Sequence, residues 1–321
     1  MEEQFETRPI LARETLRTLQ QRRNFPSLIR LTIHLGSIVC LTTLLTSDLL
    51  PSLATPLVVV ALAGVVATIF GAFHESTHRS LFASSHANRI TAWITGTLWQ
   101  MAPAMYRIFH FEHHRHTQDP ERDPELMGNP ELLSNWPKGR GEWLRLIPTH
   151  LLWLKFSTMY RLAFLPESKW LGFGSWTSAD ERRACIPECR IVLLIWAFVV
   201  VAALSNVVAF QWFLLASLLS NTFIGLWITT EHRGLPYEGS IMDRTRTTKS
   251  NAFVRWWLWN ANYHTEHHAW PSIPWHQLPR AHELVQGHLE HHVSGYIPVH
   301  VNVLNRRNLP TCDTPVSSTS E

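Results

Sequence analysis

The chain has 321 residues, enough for one large domain or two small ones, and a net charge of only +3, too small to argue for a nucleic-acid partner. Charged residues make up 17%, below the usual share of about a quarter, while histidine (19) and tryptophan (15) are abundant. The four cysteines, Cys40, Cys185, Cys189 and Cys312, lack zinc-knuckle spacing and are expected to be plain reduced thiols in a cytosolic setting.

Residues 1–25 carry Arg8, Arg13, Arg17, Arg22 and Arg23 among several glutamates and have no apolar core. No cleavable signal peptide is visible, and a solvated cytosolic segment is expected. From Leu31 to Phe73 the one formal charge is Asp48. That length fits two spans of about 20 residues each, placed at 30–47 and 53–73, with a turn at Ser47–Ser52. The second runs directly into His74. Ile90–Tyr106 is apolar but contains Pro103 and joins His78 to His110, which must reach the same side, so it is expected to lie in the membrane plane or re-enter. Trp143–Leu165 mixes tryptophan, arginine and Lys155 with leucines, in the manner of an interfacial helix. Residues 117–142 and 166–182 read as connectors. Ile191–Thr230 repeats the uncharged design, with spans at 190–205 and 208–230, a polar tip near Ser205-Asn206, and His232 just past the end. This gives a membrane domain over 26–285 and a polar tail over 286–321, disordered after Pro310.

The basic residues flank the open ends of both apolar pairs and avoid the tips. The positive-inside rule then places the tips outside and both termini in the cytosol, with every histidine cluster on the cytosolic side. The fold class expected is all-α integral membrane: four transmembrane helices in two hairpins with a cytosolic histidine-rich head.

Three clusters carry the chemistry. His74 and His78 stand at i and i+4; His110, His113 and His114, and again His264, His267 and His268, stand at i, i+3 and i+4. On helices these spacings put imidazoles on one face, and neutral imidazoles gathered together suit a metal ion. His74-Glu75-Ser76-Thr77-His78 also matches HExxH, the zinc-peptidase helix. That reading needs one zinc with three protein ligands and gives the other six histidines no role. Eight are too many for one tetrahedral ion and suit two metals. Imidazole alone does not choose among iron, zinc and copper. A site at the membrane face, reached by apolar chains and lacking a nucleophile, suits attack on unactivated C–H bonds with a redox metal and O₂.

The combined spacings HxxxH, HxxHH and HxxHH, the four spans and the run from Asn260 to Trp275 resemble the membrane fatty acid desaturase superfamily, which includes acyl desaturases, hydroxylases and carotenoid ketolases. The resemblance covers roughly residues 30–285. It implies a non-haem di-iron centre held by His74, His78, His110, His113, His114, His264, His267 and His268, with His232 after the fourth span as a further ligand. His116 lies off the triplet face and is expected to support the ligands from behind. His288-Leu289-Glu290-His291-His292 also reads HxxHH, yet it sits on a polar stretch and is expected to face solvent; His34 is expected to be a hydrogen-bonded bundle residue. Glu75, Glu112, Glu231 and Glu266 adjoin ligands and either orient them or are simply solvated.

The expected function is an O₂-dependent membrane di-iron oxidoreductase acting on a fatty acyl or lipid-like substrate, most simply a fatty acid desaturase. The alternatives are a hydroxylase or ketolase of the same superfamily and, more remotely, an intramembrane zinc peptidase or a histidine-rich metal transporter. Cysteine spacing gives no fused electron carrier, so a separate ferredoxin-, rubredoxin- or cytochrome-type donor is expected, docking near Arg244, Arg246, Lys249 and Arg255.

Overall fold

The computed structural model describes residues 5–126, 133–146, 149–170 and 177–305, and these are helical almost throughout. The amino-terminal segment is packed rather than solvated. Phe5 and Glu6 donate their backbone N–H groups to the Ala269 carbonyl at 3.1 and 3.3 Å. Leu19, at the end of α1 (Arg13–Leu19), is buried with Ile241, Tyr263 and Trp270. The sequence conceals this because the segment's charges obscure its few apolar anchors.

α2 (Asn24–Leu45) begins before the expected boundary near residue 30. Arg30 does not mark the water interface: it is buried, its guanidinium 3.8 Å from the Trp275 ring centroid, a contact that offsets part of its desolvation. α3 (Thr55–Thr77) opens with Pro56 in its first turn, where a missing N–H breaks no helical bond. Leu62, Val66, Ile69 and Phe73 on it are fully buried, and it packs against α2.

α4 (Ser85–Leu98) is capped by the Ser84 side chain and packs on α3. The chain then breaks at Gln100 (φ +64°) and resumes as α5 (Pro103–His116). The apolar stretch Ile90–Tyr106 is therefore two pieces. Each helix has 14 residues, about 21 Å long against a hydrocarbon core of about 30 Å. Within the expected interfacial helix over Trp143–Leu165, the described residues are helical in α6 (Arg140–Leu146) and α7 (Thr149–Phe164). Lys155 on α7 does not reach for water but is buried against Trp99 and Gln100.

α8 (Ala179–Leu204) starts at a capping box formed by Ser178 and Glu181. α9 (Val208–His232) packs against α3 and α8, with Asn206 in a left-handed conformation at the turn. α2, α3, α8 and α9 are long and apolar enough to cross a membrane. Their outward faces carry large exposed apolar residues such as Val39, Val60, Leu194, Phe198 and Leu204, a surface that suits lipid rather than water. α9 is polar on its buried side, with Ser217, Asn221, Thr229, Thr230 and Glu231 enclosed.

The short helices α10 (Ala252–Trp257), α11 (His264–Ala269), α12 (Leu278–Val285) and α13 (Tyr296–Leu304) complete the fold. Strand β1 (Thr247–Thr248) pairs in parallel with β2 (His292–Val293). Residues 286–304 are thus no free tail. Val299, His300 and Val303 are buried, and His300 Nε2 donates to the Leu226 carbonyl at 2.8 Å. The expected disorder after Pro310, and Cys312, lie outside the described residues. Cys185 and Cys189 are free and buried.

Candidate metal centre

Four helices deliver nine imidazoles to one place. The end of α3 brings His74 and His78, α5 brings His110, His113 and His114, α9 ends on His232, and α11 carries His264, His267 and His268. All nine are buried. They sort into two groups that cut across the sequence clusters. One nitrogen from each of His74, His78, His110, His114 and His267 lies within 4.8 Å of the others, and His113, His232 and His268 meet the same test among themselves. His264 joins the second group, its Nε2 2.7 Å from that of His232. Both triplets are therefore split. On α5, His110 and His114 face one way and His113 the other; on α11, His267 parts from His264 and His268. One triplet does not serve one ion.

The donor set fits metal. His110 Nε2 lies 2.9 Å from the Nε2 atoms of both His78 and His114, and His113 Nε2 is 3.2 Å from that of His232. A neutral imidazole has one N–H and one lone pair, so so many converging ring nitrogens cannot all satisfy one another, whereas a cation between them accepts every lone pair. Burial holds His78, His110, His114, His264, His267 and His268 well below the usual histidine range, in the neutral form that ligates. His113 is the exception. Burial pulls it down, but the charges of Asp123 and Glu125 and the Asp123 hydrogen bond outweigh that and push it up to about 9.

The second group is anchored from behind at every ring. His113 Nδ1 donates to Asp123 Oδ1 at 2.9 Å, and His232 Nδ1 donates to the Arg244 carbonyl at 3.1 Å. His268 Nδ1 meets Thr117 Oγ1 at 3.2 Å, and His264 Nδ1 lies 3.4 Å from Glu231. Asp123 and the carbonyl can only accept, so they take the Nδ1–H and turn Nε2 inward; on neutral His232 that nitrogen keeps its lone pair, and on His113 a bound cation would replace the second proton. The first group is held less by polar bonds: among the described residues the Nδ1 atoms of His114 and His267 have no partner. Rings steady it instead. Tyr106 stacks on His110 at 5.1 Å and 12°, and Phe5 on His114 at 5.6 Å and 25°.

The neighbouring glutamates take different roles. Glu75 accepts from Ser80 Oγ at 2.7 Å and from the Trp275 backbone N–H at 3.0 Å. Glu266 accepts from Thr247 Oγ1 at 2.6 Å and contacts His282. Glu112 pairs with Arg115 and lies 3.6 Å from His116, which belongs to neither imidazole group. His288 and His292 are exposed. His34 is a bundle residue, bonded to the Arg30 and Trp257 carbonyls. Sequence reading missed Asp123, Thr117, the Arg244 carbonyl and Phe5; none stands in a motif.

Beyond His74 the wall is aromatic: Phe70 lies 5.7 Å from His74, 4.5 Å from Trp99 and 5.7 Å from Trp227. Two membrane-length helices, α3 and α9, thus carry their histidines to the same place as the shorter α5 and α11. The sequence profile of the family described as Fatty acid desaturase matches residues 51–300, most of the chain. The chain belongs to the fatty acid desaturase family. No curated protein matches it. Family membership and four apolar helices mark this desaturase-family member as a multi-pass membrane protein and point to an oxidoreductase with a lipid substrate.

Proposed function

We propose that this protein is an O₂-dependent di-iron oxidoreductase that attacks an unactivated C–H bond of a fatty acyl or lipid-like substrate, most simply as a desaturase. The carrying observation is the pair of buried imidazole groups, five rings and four, at the ends of apolar helices. His74, His78, His110, His114 and His267 would hold one iron, and His113, His232, His264 and His268 the other. The irons, when bound, supply the redox chemistry by which O₂ attacks a C–H bond.

The chain's own residues do the rest. Asp123, Thr117, Glu231 and the Arg244 carbonyl hold four rings in place before the metal arrives. Phe70, Trp99, Tyr106 and Trp227 present apolar faces that position a hydrocarbon and exclude water. Loss of a second hydrogen gives an alkene and transfer of oxygen an alcohol or ketone, so the hydroxylase and ketolase alternatives share this site. Glu75 tells against the peptidase, since its carboxylate is engaged by Ser80 and Trp275 rather than offered as a base.

The two apolar pairs would form hairpins with their tips outside and the metal head and both termini in the cytosol. Electrons would come from a separate donor. The expected docking patch is reduced, because Arg246 is buried and donates to the Thr230 carbonyl at 2.9 Å, and Arg244 donates to that of Thr117. Metal analysis of detergent-purified protein is expected to give close to two irons per chain. One zinc per chain, with peptidase activity lost in Glu75→Ala, would overturn the reading.

A further inference from the structure

α7, α8 and α9 enclose a cleft of about 330 Å³. Its walls are apolar, including Phe156, Trp196 and Leu214, and exposed residues such as Val200 and Leu218 stand on its rim. Two polar side chains interrupt the lining, Gln100 and Ser217. Ser217 precedes His232 by 15 residues on one helix, about 22 Å at 1.5 Å per residue, so this hydroxyl is remote from His232, and the cleft meets the aromatic wall beside His74 through Lys155 and Trp99.

Ser217 is completely buried and its Oγ has no hydrogen-bond partner among the described residues. A buried hydroxyl without a partner is costly, and this one is oriented by nothing around it. Gln100 is buried and its Oε1 accepts from Asn221 Nδ2 at 3.1 Å and Lys155 Nζ at 3.3 Å. Its amide N–H makes only a long contact, 3.4 Å, with the Ser217 carbonyl. With the carbonyl end of Gln100 occupied, the donor end is what it offers the cleft. Lys155 supports it: its amine is buried, lies over the Trp99 ring at 3.8 Å and donates to the Trp99 carbonyl at 3.1 Å; burial holds it well below the usual lysine range, and an anion beside it would favour the charged form. Among the described residues no carboxylate pairs with it. An ionisable side chain among membrane helices is expensive and calls for a partner of opposite charge. Two donors at one point of an apolar cleft, backed by a lysine that no carboxylate pairs with among the described residues, match an anionic oxygen on a long hydrocarbon.

We propose that this cleft is a lipid-binding site that takes the carboxylate end of a long-chain fatty acid, held by Gln100 and Ser217 with Lys155 as the counter-charge. The inference does not depend on which bond the metal centre attacks, because it is read as binding without turnover.

Metal-loaded protein in detergent is titrated with palmitate carrying ¹³C at the carboxyl carbon, with hexadecanol and hexadecane as competitors. A saturable shifted carboxyl resonance is expected, with hexadecane competing at least about tenfold more weakly than unlabelled palmitate. Ser217→Ala is expected to weaken binding about fivefold to tenfold, one hydrogen bond, and Lys155→Met more. Leu218→Trp, at the rim, is expected to abolish the shifted signal while iron content and thermal midpoint stay as in the parent. Lys155→Met risks misfolding, so Ser217→Ala and Leu218→Trp carry the decision. Hexadecane competing as well as palmitate, or palmitate affinity unchanged in both variants, would overturn the proposal.

Discussion

Asp123 sits ten positions beyond His113 in a polar loop, and its neighbours Asp119, Glu121 and Glu125 look no different in sequence. Only the fold selects it, by burying it against His113 while its second oxygen accepts from the Gln118 backbone N–H at 2.8 Å. Asp123→Asn keeps the shape and removes the charge. We expect it to lower metal affinity at the four-ring group about 10- to 100-fold, seen as loss of about half the bound iron after dialysis against a chelator. Full retention would show that Asp123 does not tune that site. His232 and His292 form a second contrast, because both were legible in the sequence as candidates and only one lies among the imidazoles. His232→Ala is expected to lose iron and activity together, and His292→Ala, at an exposed position, to keep both. The reverse result would displace the ligand set.

Single elements were readable where periodicity or charge depletion spoke, and unreadable where a contact was remote. The spans at α3 and α9 follow from uncharged runs, one leading directly into His74 and the other ending two residues before His232. The break at Gln100 does not, because a left-handed residue that is not glycine has no signal of its own. Trp259 is a comparable case, with φ +55° and a fully buried ring. It fits because Gly71 on α3 has no side chain: a Cβ there would lie 2.5 Å from Trp259 Cδ1. Gly71→Ala therefore drives an atom into a close-packed contact next to the first imidazole group. A loss of about 1–3 kcal/mol is expected, measured as a lowered thermal midpoint in detergent, with Trp259→Ala partly rescuing it. A midpoint equal to the parent's would mean that the helix and the tryptophan are free to part.

At the scale of the molecule, the eight imidazoles of the three clusters, with His232 as the ninth, were legible together because spacing survives in sequence, and the division of the nine into five and four rings was not. Which way a helical histidine turns depends on the helix opposite. The amino-terminal segment shows the same limit: its arginines suggest solvent, whereas Phe5 closes over His114. Orientation is testable independently of metal. A cysteine introduced as Asn206→Cys is expected to react with an impermeant reagent from outside, and tags at either terminus to report cytosol. Reaction from the cytosol alone would refute the proposed topology. Purified protein with NAD(P)H and O₂ is expected not to turn over until a donor protein is added; turnover without one would remove the need for a partner.

The bond from the Trp275 backbone to Glu75 joins residues 200 positions apart, and it has a consequence for biogenesis. A nascent chain halted at Trp257 already contains all four membrane-length helices and His74, His78, His110, His113, His114 and His232. Yet neither group is complete in it, for one lacks His267 and the other lacks His264 and His268. On the proposed reading, insertion into the bilayer and capture of metal would thereby be separated in time during synthesis. The last imidazoles must leave the ribosome before either group is complete, so interrupted products would carry the membrane-length helices without a finished metal site.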